Sequence, residues 1–186
     1  MLTPILTIGY GNRSADEFFG VLIREHIQFL IDVRSNPVSR FNADFSADHL
    51  GEKLRLLGIR YVLMGDTLGG RPQDSSCYEN GHVIYRRVRE KTFFKDGIDR
   101  LLSASTQGIH VCLLCSELRP EDCHRSKLIG VSLADHGVPV VHIGAQGEHL
   151  SQVEVMARLK ATQTELFDEG FSSRKTYKSA KKAFGG

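Results

Sequence analysis

Within eleven residues the chain carries Cys115, Glu117, Asp122, Cys123, His124 and Arg125, a mixture of thiol, carboxylate, imidazole and guanidinium. Such groups act as nucleophiles, proton carriers or anion holders, and Glu117, two residues past Cys115, suits a general acid or base. Asp122 is expected to cap a helix whose first turn holds Cys123, His124 and Arg125. There the helix dipole and Arg125 should make the Cys123 thiol acidic and favour a bound anion. The competing account is structural: cysteines pack readily as small buried residues, and a histidine at a helix start can simply bond a carbonyl. Four chemistries in one short segment favour the functional account, with Cys115, Glu117, Cys123 and His124 as the catalytic candidates.

A zinc site would draw on Cys112-x-x-Cys115 with Cys123 and His124 close behind. The run Ile109–Leu114 reads as a strand, however, and residues three apart on a strand point to opposite faces. Cys112 and Cys115 should therefore neither share an ion nor form a redox dithiol, and no metal or cofactor is expected.

Two other segments can meet a ligand. Asp32 and Arg34 lie two apart at the end of an apolar run and so point the same way, free to pair with each other or with facing groups. Arg34, Ser35, Ser39 and Arg40 supply donors suited to phosphate or carboxylate, although an Asp32–Arg34 pair could be purely structural. Gly9-Tyr10-Gly11-Asn12-Arg13-Ser14 joins a strand to a helix start, where unpaired N–H groups and close backbone approach favour an anion. It lacks the third glycine of a dinucleotide fingerprint, and a tight turn capped by Ser14 is the alternative. Arg13, Arg34 and Arg125 are the expected anion holders. Leu68-Gly69-Gly70-Arg71-Pro72 either closes over the crevice or is a plain surface loop. The arginines of Tyr85-Arg86-Arg87-Val88-Arg89 read as a solvated helix face, and His142 as a packed core residue.

What must position these groups is a sheet. Five apolar runs, Ile5–Ile8, Phe29–Val33, Ile59–Met64, Ile109–Leu114 and Val138–Ile143, alternate with helical patterns. Ser14 and Glu17 form a capping box before Phe18, Leu22 and Ile23, and Ser46 is the expected cap of a helix carrying Leu50, Leu54 and Leu57. Further helices are expected over about 85–105 and 121–136. Strands alternating with helices imply a Rossmann-like, three-layer α/β domain with a mainly parallel sheet of about five strands. In such sheets ligands bind beyond the carboxyl ends of the strands, where the strand order switches. That rule brings the segments after runs two and four, and with them Asp32, Arg34, Glu117, His124 and Arg125, to one pocket. The α/β domain should span residues 1–150, followed by an amphipathic segment over 151–170 and a basic, flexible tail over 171–186.

Of the 186 residues 41% are hydrophobic and 25% charged, enough to bury a full core. The net charge of +2 conceals an asymmetry: residues 171–186 hold Arg174, Lys175, Lys178, Lys181 and Lys182 and no acid, so residues 1–170 sum to 2 − 5 = −3. A basic tail of this kind either solubilises or binds nucleic acid. No run approaches the ~20 apolar residues of a membrane helix, and the N-terminus lacks a basic signal-peptide region. Four cysteines in a chain of this length do not look like a disulfide framework, so a cytoplasmic, reducing location is expected.

The strings Thr7-Ile8-Gly9-Tyr10-Gly11-Asn12, Asp32-Val33-Arg34-Ser35-x-Pro37, Leu68-Gly69-Gly70 and Leu114-Cys115-x-Glu117, followed by Cys123-His124-Arg125, resemble the domain of unknown function 488 family. The resemblance covers roughly residues 5–143. It implies a compact α/β domain of prokaryotic type and imports no activity. The function expected from the residues is an enzyme with a strand-end, anion-binding crevice for a phosphorylated substrate, nucleotide or nucleic acid. A non-catalytic nucleic-acid-binding or adaptor module is one alternative. A cysteine-dependent phosphatase or sulfurtransferase is another, poorly matched because its arginine should follow the cysteine by about six residues, whereas Arg125 lies ten after Cys115 and two after Cys123.

Overall fold

A computed structural model of the chain describes residues 1–162 and 171–177. Its elements run β1 (Ile5–Gly9), α1 (Ala15–Arg24), β2 (Phe29–Asp32), α2 (Ala47–Leu56), β3 (Arg60–Leu63), α3 (Gly65–Leu68), β4 (Tyr78–Glu79), β5 (His82–Val83), α4 (Tyr85–Arg89), α5 (Thr92–Thr106), β6 (Val111–Cys115), α6 (Val131–Asp135), β7 (Val140–Ile143), β8 (His149–Ser151) and α7 (Gln152–Thr162). One sheet has the order β3-β2-β6-β1-β7-β8, and β4–β5 form a separate hairpin. The five expected strands are β1, β2, β3, β6 and β7, all mutually parallel, with β8 added antiparallel at the β7 edge. This is the expected α/β class, a mainly parallel sheet with helices on both faces.

Side chains of β6 alternate strictly. Val111, Leu113 and Cys115 join one core with α5, α6 and Tyr85; Cys112 and Leu114 join the other with Phe18, Leu22, Leu50 and Leu54. Cys112 and Cys115 therefore do lie on opposite faces. Phe18, Leu22, Leu50 and Leu54 are fully buried, each worth about 1.5–3 kcal/mol of apolar transfer. The Ser14 capping box forms as read: Glu17 N–H donates to Ser14 Oγ at 3.2 Å, and Ser14 N–H to Glu17 Oε2 at 2.9 Å. Ser46 stands at the start of α2, but its Oγ accepts from Ser39 N–H instead.

Three expectations need correction. The helix expected over 85–105 is two helices, because Lys91 takes extended backbone and its ammonium reaches Asp74 at 2.8 Å and Ser76 at 2.6 Å. The helix expected from Glu121 begins only at His124, after a 3-10 turn over Pro120–Asp122. Its residues Arg125–Gly130 are π-helical, a widened turn often found at functional sites. Finally, the basic tail is not free from residue 171. Ser173 N–H donates to Val83 O at 2.9 Å, Tyr85 N–H to Phe171 O at 3.1 Å, and Tyr177 N–H to Gly81 O at 2.6 Å, so residues 171–177 lie along the hairpin. The charges of this segment face outward while its backbone completes the hairpin edge. Lys178, Lys181 and Lys182 lie outside the described residues.

Candidate functional site

The chain passes from β1 to β2 across a gap that β6 later fills, and β7 then joins the far side of β1. The register sets Gly9 beside Cys115 and Asp32 beside Leu114. Beyond Cys115 the chain folds back over Gly9, where an added Cβ would stand 1.8 Å from the Glu117 carbonyl oxygen. Only glycine admits that crossing. The fully buried Arg125 fixes the loop from beneath, with Nη1 bonded to the Glu117 carbonyl and Nη2 to the Leu118 carbonyl at 3.0 Å.

Cys123, not Asp122, occupies the cap of the following helix. Its backbone is extended, its carbonyl accepts from the Ser126 and Lys127 N–H groups at 3.3 Å, and its Sγ accepts from Arg125 N–H at 3.5 Å. Asp122 closes the preceding 3-10 turn, with its carboxylate 3.4 Å from Arg174.

This geometry gathers four reactive groups. Glu117 Oε2 lies 3.0 Å from Cys115 Sγ and 3.4 Å from Cys123 Sγ, and each sulfur lies 3.7 Å from His124 Nδ1. His124 Nε2 stands 3.1 Å from the Val33 carbonyl, which can only accept, so Nε2 carries a proton and Nδ1 faces both sulfurs; burial disfavours the charged ring, but Cys123 and Glu117 prevail and raise the imidazole above its ordinary value. Gly70 leaves room for the ring: a Cβ there would meet His124 Cγ at 2.8 Å. Burial raises the Glu117 carboxyl, but hydrogen bonding from Cys115 and the nearness of His124 outweigh it and bring it down to about 2. Hydrogen bonding with Cys123 and burial push the Cys115 thiol up. For Cys123 burial acts upward too, yet the Cys115 contact, Arg125 and His124 prevail, and it is the more acidic of the pair.

Cys115, Glu117 and His124 floor a cavity of about 170 Å³ at the carboxyl end of the sheet, walled by Arg34, Ser35, Gly70 and Tyr85. Its rim carries half-buried Arg71 and exposed Arg174 and Lys175. The Arg71 guanidinium lies over the Tyr177 ring, 5.5 Å from its centroid, and its N–H donates to Ser35 Oγ at 2.9 Å. The segments after β2 and β6 thus meet at one pocket, with Asp32 and Arg125 buried behind its lining.

The three arginines expected to hold an anion are engaged within the protein. Arg34 Nε and Nη2 grip Asp32 at 2.9 and 2.5 Å, and Nη1 donates to the Phe45 carbonyl at 2.7 Å. Tyr61 hydroxyl completes the Asp32 carboxylate at 2.6 Å. Arg13 bonds the Gly9 and Gly144 carbonyls. Arg125 closes no cradle around either cysteine. The N–H groups of Tyr10 and Gly11 donate to the Cys115 and Ser116 carbonyls, and Tyr10 stacks on Phe45 at 4.4 Å. Gly9, Tyr10, Gly11 and Arg13 therefore build the loop beside the pocket rather than line it.

Of the Leu68–Pro72 segment, Gly70 and Arg71 do reach the pocket; sequence reasoning missed Arg174, Lys175 and Tyr85 as pocket residues. The Tyr85 phenol is pushed well up by burial and by the nearby Cys123, Tyr177 and Glu117, which makes it a neutral hydrogen-bond donor beside the floor. A tyrosine opening an arginine-rich helix is the one available signal.

Fold and site together define a doubly wound α/β protein with a thiol, carboxylate and imidazole cluster under a cationic strand-end pocket. The family model described as "Domain of unknown function DUF488" matches residues 14–131, well over half of the chain, and the chain belongs to that family. Comparison with curated proteins and with solved structures finds no match for either.

Proposed function

We propose that the chain is an enzyme acting on the phosphate-bearing part of an anionic substrate: a phosphorylated small molecule, a nucleotide or a nucleic acid. The observation that carries this reading is the placement of Arg71, Arg174 and Lys175 around a mouth whose floor presents Cys115, Glu117 and His124. Cations at the rim of a cleft concentrate anions there and orient them towards the floor. The cavity, at about 170 Å³, is smaller than the ~300–1,000 Å³ typical of drug-sized ligands, and so suits a phosphorylated end group rather than a whole dinucleotide. Cys115, Glu117, Cys123 and His124 are the groups that would carry the chemistry, with the Tyr85 hydroxyl able to donate a hydrogen bond to the bound group. A reducing compartment such as the cytoplasm would keep all four cysteines in the free state in which they stand. Among the described residues no helix is long and apolar enough to cross a membrane.

A thermal-shift panel of inorganic phosphate, sugar phosphates, nucleoside monophosphates and short oligonucleotides tests the reading. A ligand at about 100 times its Kd stabilises by roughly 2.7 kcal/mol, a readily measured rise in midpoint. At least one member should give such a rise in wild type, reduced in Arg71→Ala and in Arg174→Ala. No rise from any member, or a rise that both variants keep in full, would overturn it.

A further inference from the structure

The cluster formed by Cys115 and His124 at the pocket floor and Cys123 buried just behind it invites a reading that goes beyond anion binding and does not depend on it. Cys115 Sγ, Cys123 Sγ and His124 Nδ1 all lie within 4.8 Å of one another. Zinc bonds of about 2.3 Å to sulfur and 2.0–2.1 Å to nitrogen imply a sulfur-to-nitrogen edge of roughly 3.5 Å in a tetrahedron. Both such edges measure 3.7 Å here. We propose that Cys115, Cys123 and His124 bind one borderline-soft divalent cation of the zinc type, through three protein ligands with a fourth position turned towards the pocket.

Three features beyond the spacing support the site. A metal-binding imidazole commonly donates its other N–H to a carbonyl, and His124 Nε2 meets the Val33 carbonyl in just that way, leaving Nδ1 free on the sulfur side. The donors also sit on fixed supports: Cys115 ends the central strand β6, Cys123 caps a helix, and the His124 ring is bonded to the Val33 carbonyl. Finally, Glu117 Oε2 lies 3.0 Å and 3.4 Å from the two sulfurs, a carboxylate beside the donors that would favour a cation there. A divalent ion would leave two thiolates and one carboxylate at a net −1, which the buried Arg125 beneath the loop offsets. Two thiolates and an imidazole select a zinc-type ion over magnesium or calcium, which take oxygen. Binding would release the thiol protons to solvent.

The expectation of no metal rested on Cys112, and Cys112 does lie on the opposite face. The ligand set does not need it, because Cys123 reaches Cys115 from the helix on the same face.

The test uses the full chain purified without chelator. It should carry about one equivalent of zinc, and the metal-free protein titrated with cobalt(II) should develop thiolate-to-cobalt absorption and intense visible bands of four-coordinate cobalt. Cys115→Ala and Cys123→Ala should each weaken cobalt binding by roughly 100-fold or more. Cys112→Ala, on the other face, should bind as wild type, with circular dichroism showing each variant folded. Folded wild type that neither retains zinc nor gives the cobalt spectrum would overturn the site. So would equal loss in the Cys112 and Cys123 variants. Phosphate binding measured alongside keeps the two proposals separate: loss of metal with intact anion binding overturns this one alone.

Discussion

Part of the fold's sensitivity to acid should come from His142. Its ring is fully buried in β7, with Nδ1 2.7 Å from Thr7 Oγ1 and Nε2 2.7 Å from Gln152 Oε1. Nε2 donates to the Gln152 carbonyl oxygen and Nδ1 accepts from the Thr7 hydroxyl, so the neutral ring is satisfied at both nitrogens. Protonation would put a charge in a dry interior. Burial, with a contribution from Arg125, depresses the imidazole to about 4 against the pull of Gln152. From an ordinary value of 6.5 that is a fall of 6.5 − 4 = 2.5, or roughly 3 kcal/mol at about 1.4 kcal/mol per unit. The unfolded chain takes up a proton below pH 6.5 that the folded chain refuses until about pH 4, so stability falls as pH drops through that window and this contribution levels off below it. Urea unfolding followed by circular dichroism at pH 7 and pH 4 measures it, with His142→Asn as the reference. The variant loses packing at both values. Other acid-sensitive groups, the cysteine cluster among them, are shared by both proteins and cancel in the difference. Wild type should lose about 3 kcal/mol more than the variant between the two pH values. Parallel losses would show that the ring is not held neutral and would refute the reasoning.

The remaining predictions concern the supports of the pocket. Asp32→Asn should cost about 3–5 kcal/mol in denaturant unfolding, because Arg34 is 4% exposed and would keep its charge with no counterion. A loss under ~1 kcal/mol would mean the pair is solvated. Gly70→Ala places a Cβ 2.8 Å from His124 Cγ and 2.9 Å from Nδ1, so it should destabilise by roughly 1–3 kcal/mol and weaken cobalt binding. Unchanged stability together with unchanged cobalt affinity would show that the ring is not wedged by residue 70.

Local rules were enough for much of the scaffold. The unbroken apolar runs Phe29–Val33 and Ile109–Leu114 read as doubly covered strands, and β2 and β6 are adjacent in the sheet centre. Period-two alternation put Cys112 and Cys115 on opposite faces, and the Ser14–Glu17 box formed. Strand-end reasoning also located Cys115, Glu117 and His124. What it could not supply was where each donor points. Arg13, Arg34 and Arg125 have the composition of an anion site, but whether a guanidinium meets a ligand or a carbonyl depends on contacts between distant segments. The docking of residues 171–177 was equally invisible, because the charges of Arg174 and Lys175 suggest solvent while the backbone of Ser173 pairs with Val83. Composition reports side chains, and here the main chain decided the outcome.

That engagement of the arginines has a physical reason. Where parallel strands end at a switch in order, the chain leaves the sheet in irregular loops whose carbonyls have no strand partner, yet the loops are too crowded for water to reach them all. Arginine carries five donors in a planar, weakly hydrated fork, which suits it to bond several such oxygens at once. Arg125 does so for Glu117 and Leu118, Arg13 for Gly9 and Gly144, and Arg34 joins Phe45 to Asp32. With the carbonyls bonded from below, the side chains of Cys115 and Glu117 are turned upward into the pocket on a loop that cannot easily shift. The cations at the pocket rim come instead from residues 71 and 174–175, segments outside the main sheet. Floor and rim are thus built by different means: buried arginines fix the loop that carries Cys115 and Glu117, and at the rim Arg71 and Arg174 rest against Tyr177 and Asp122.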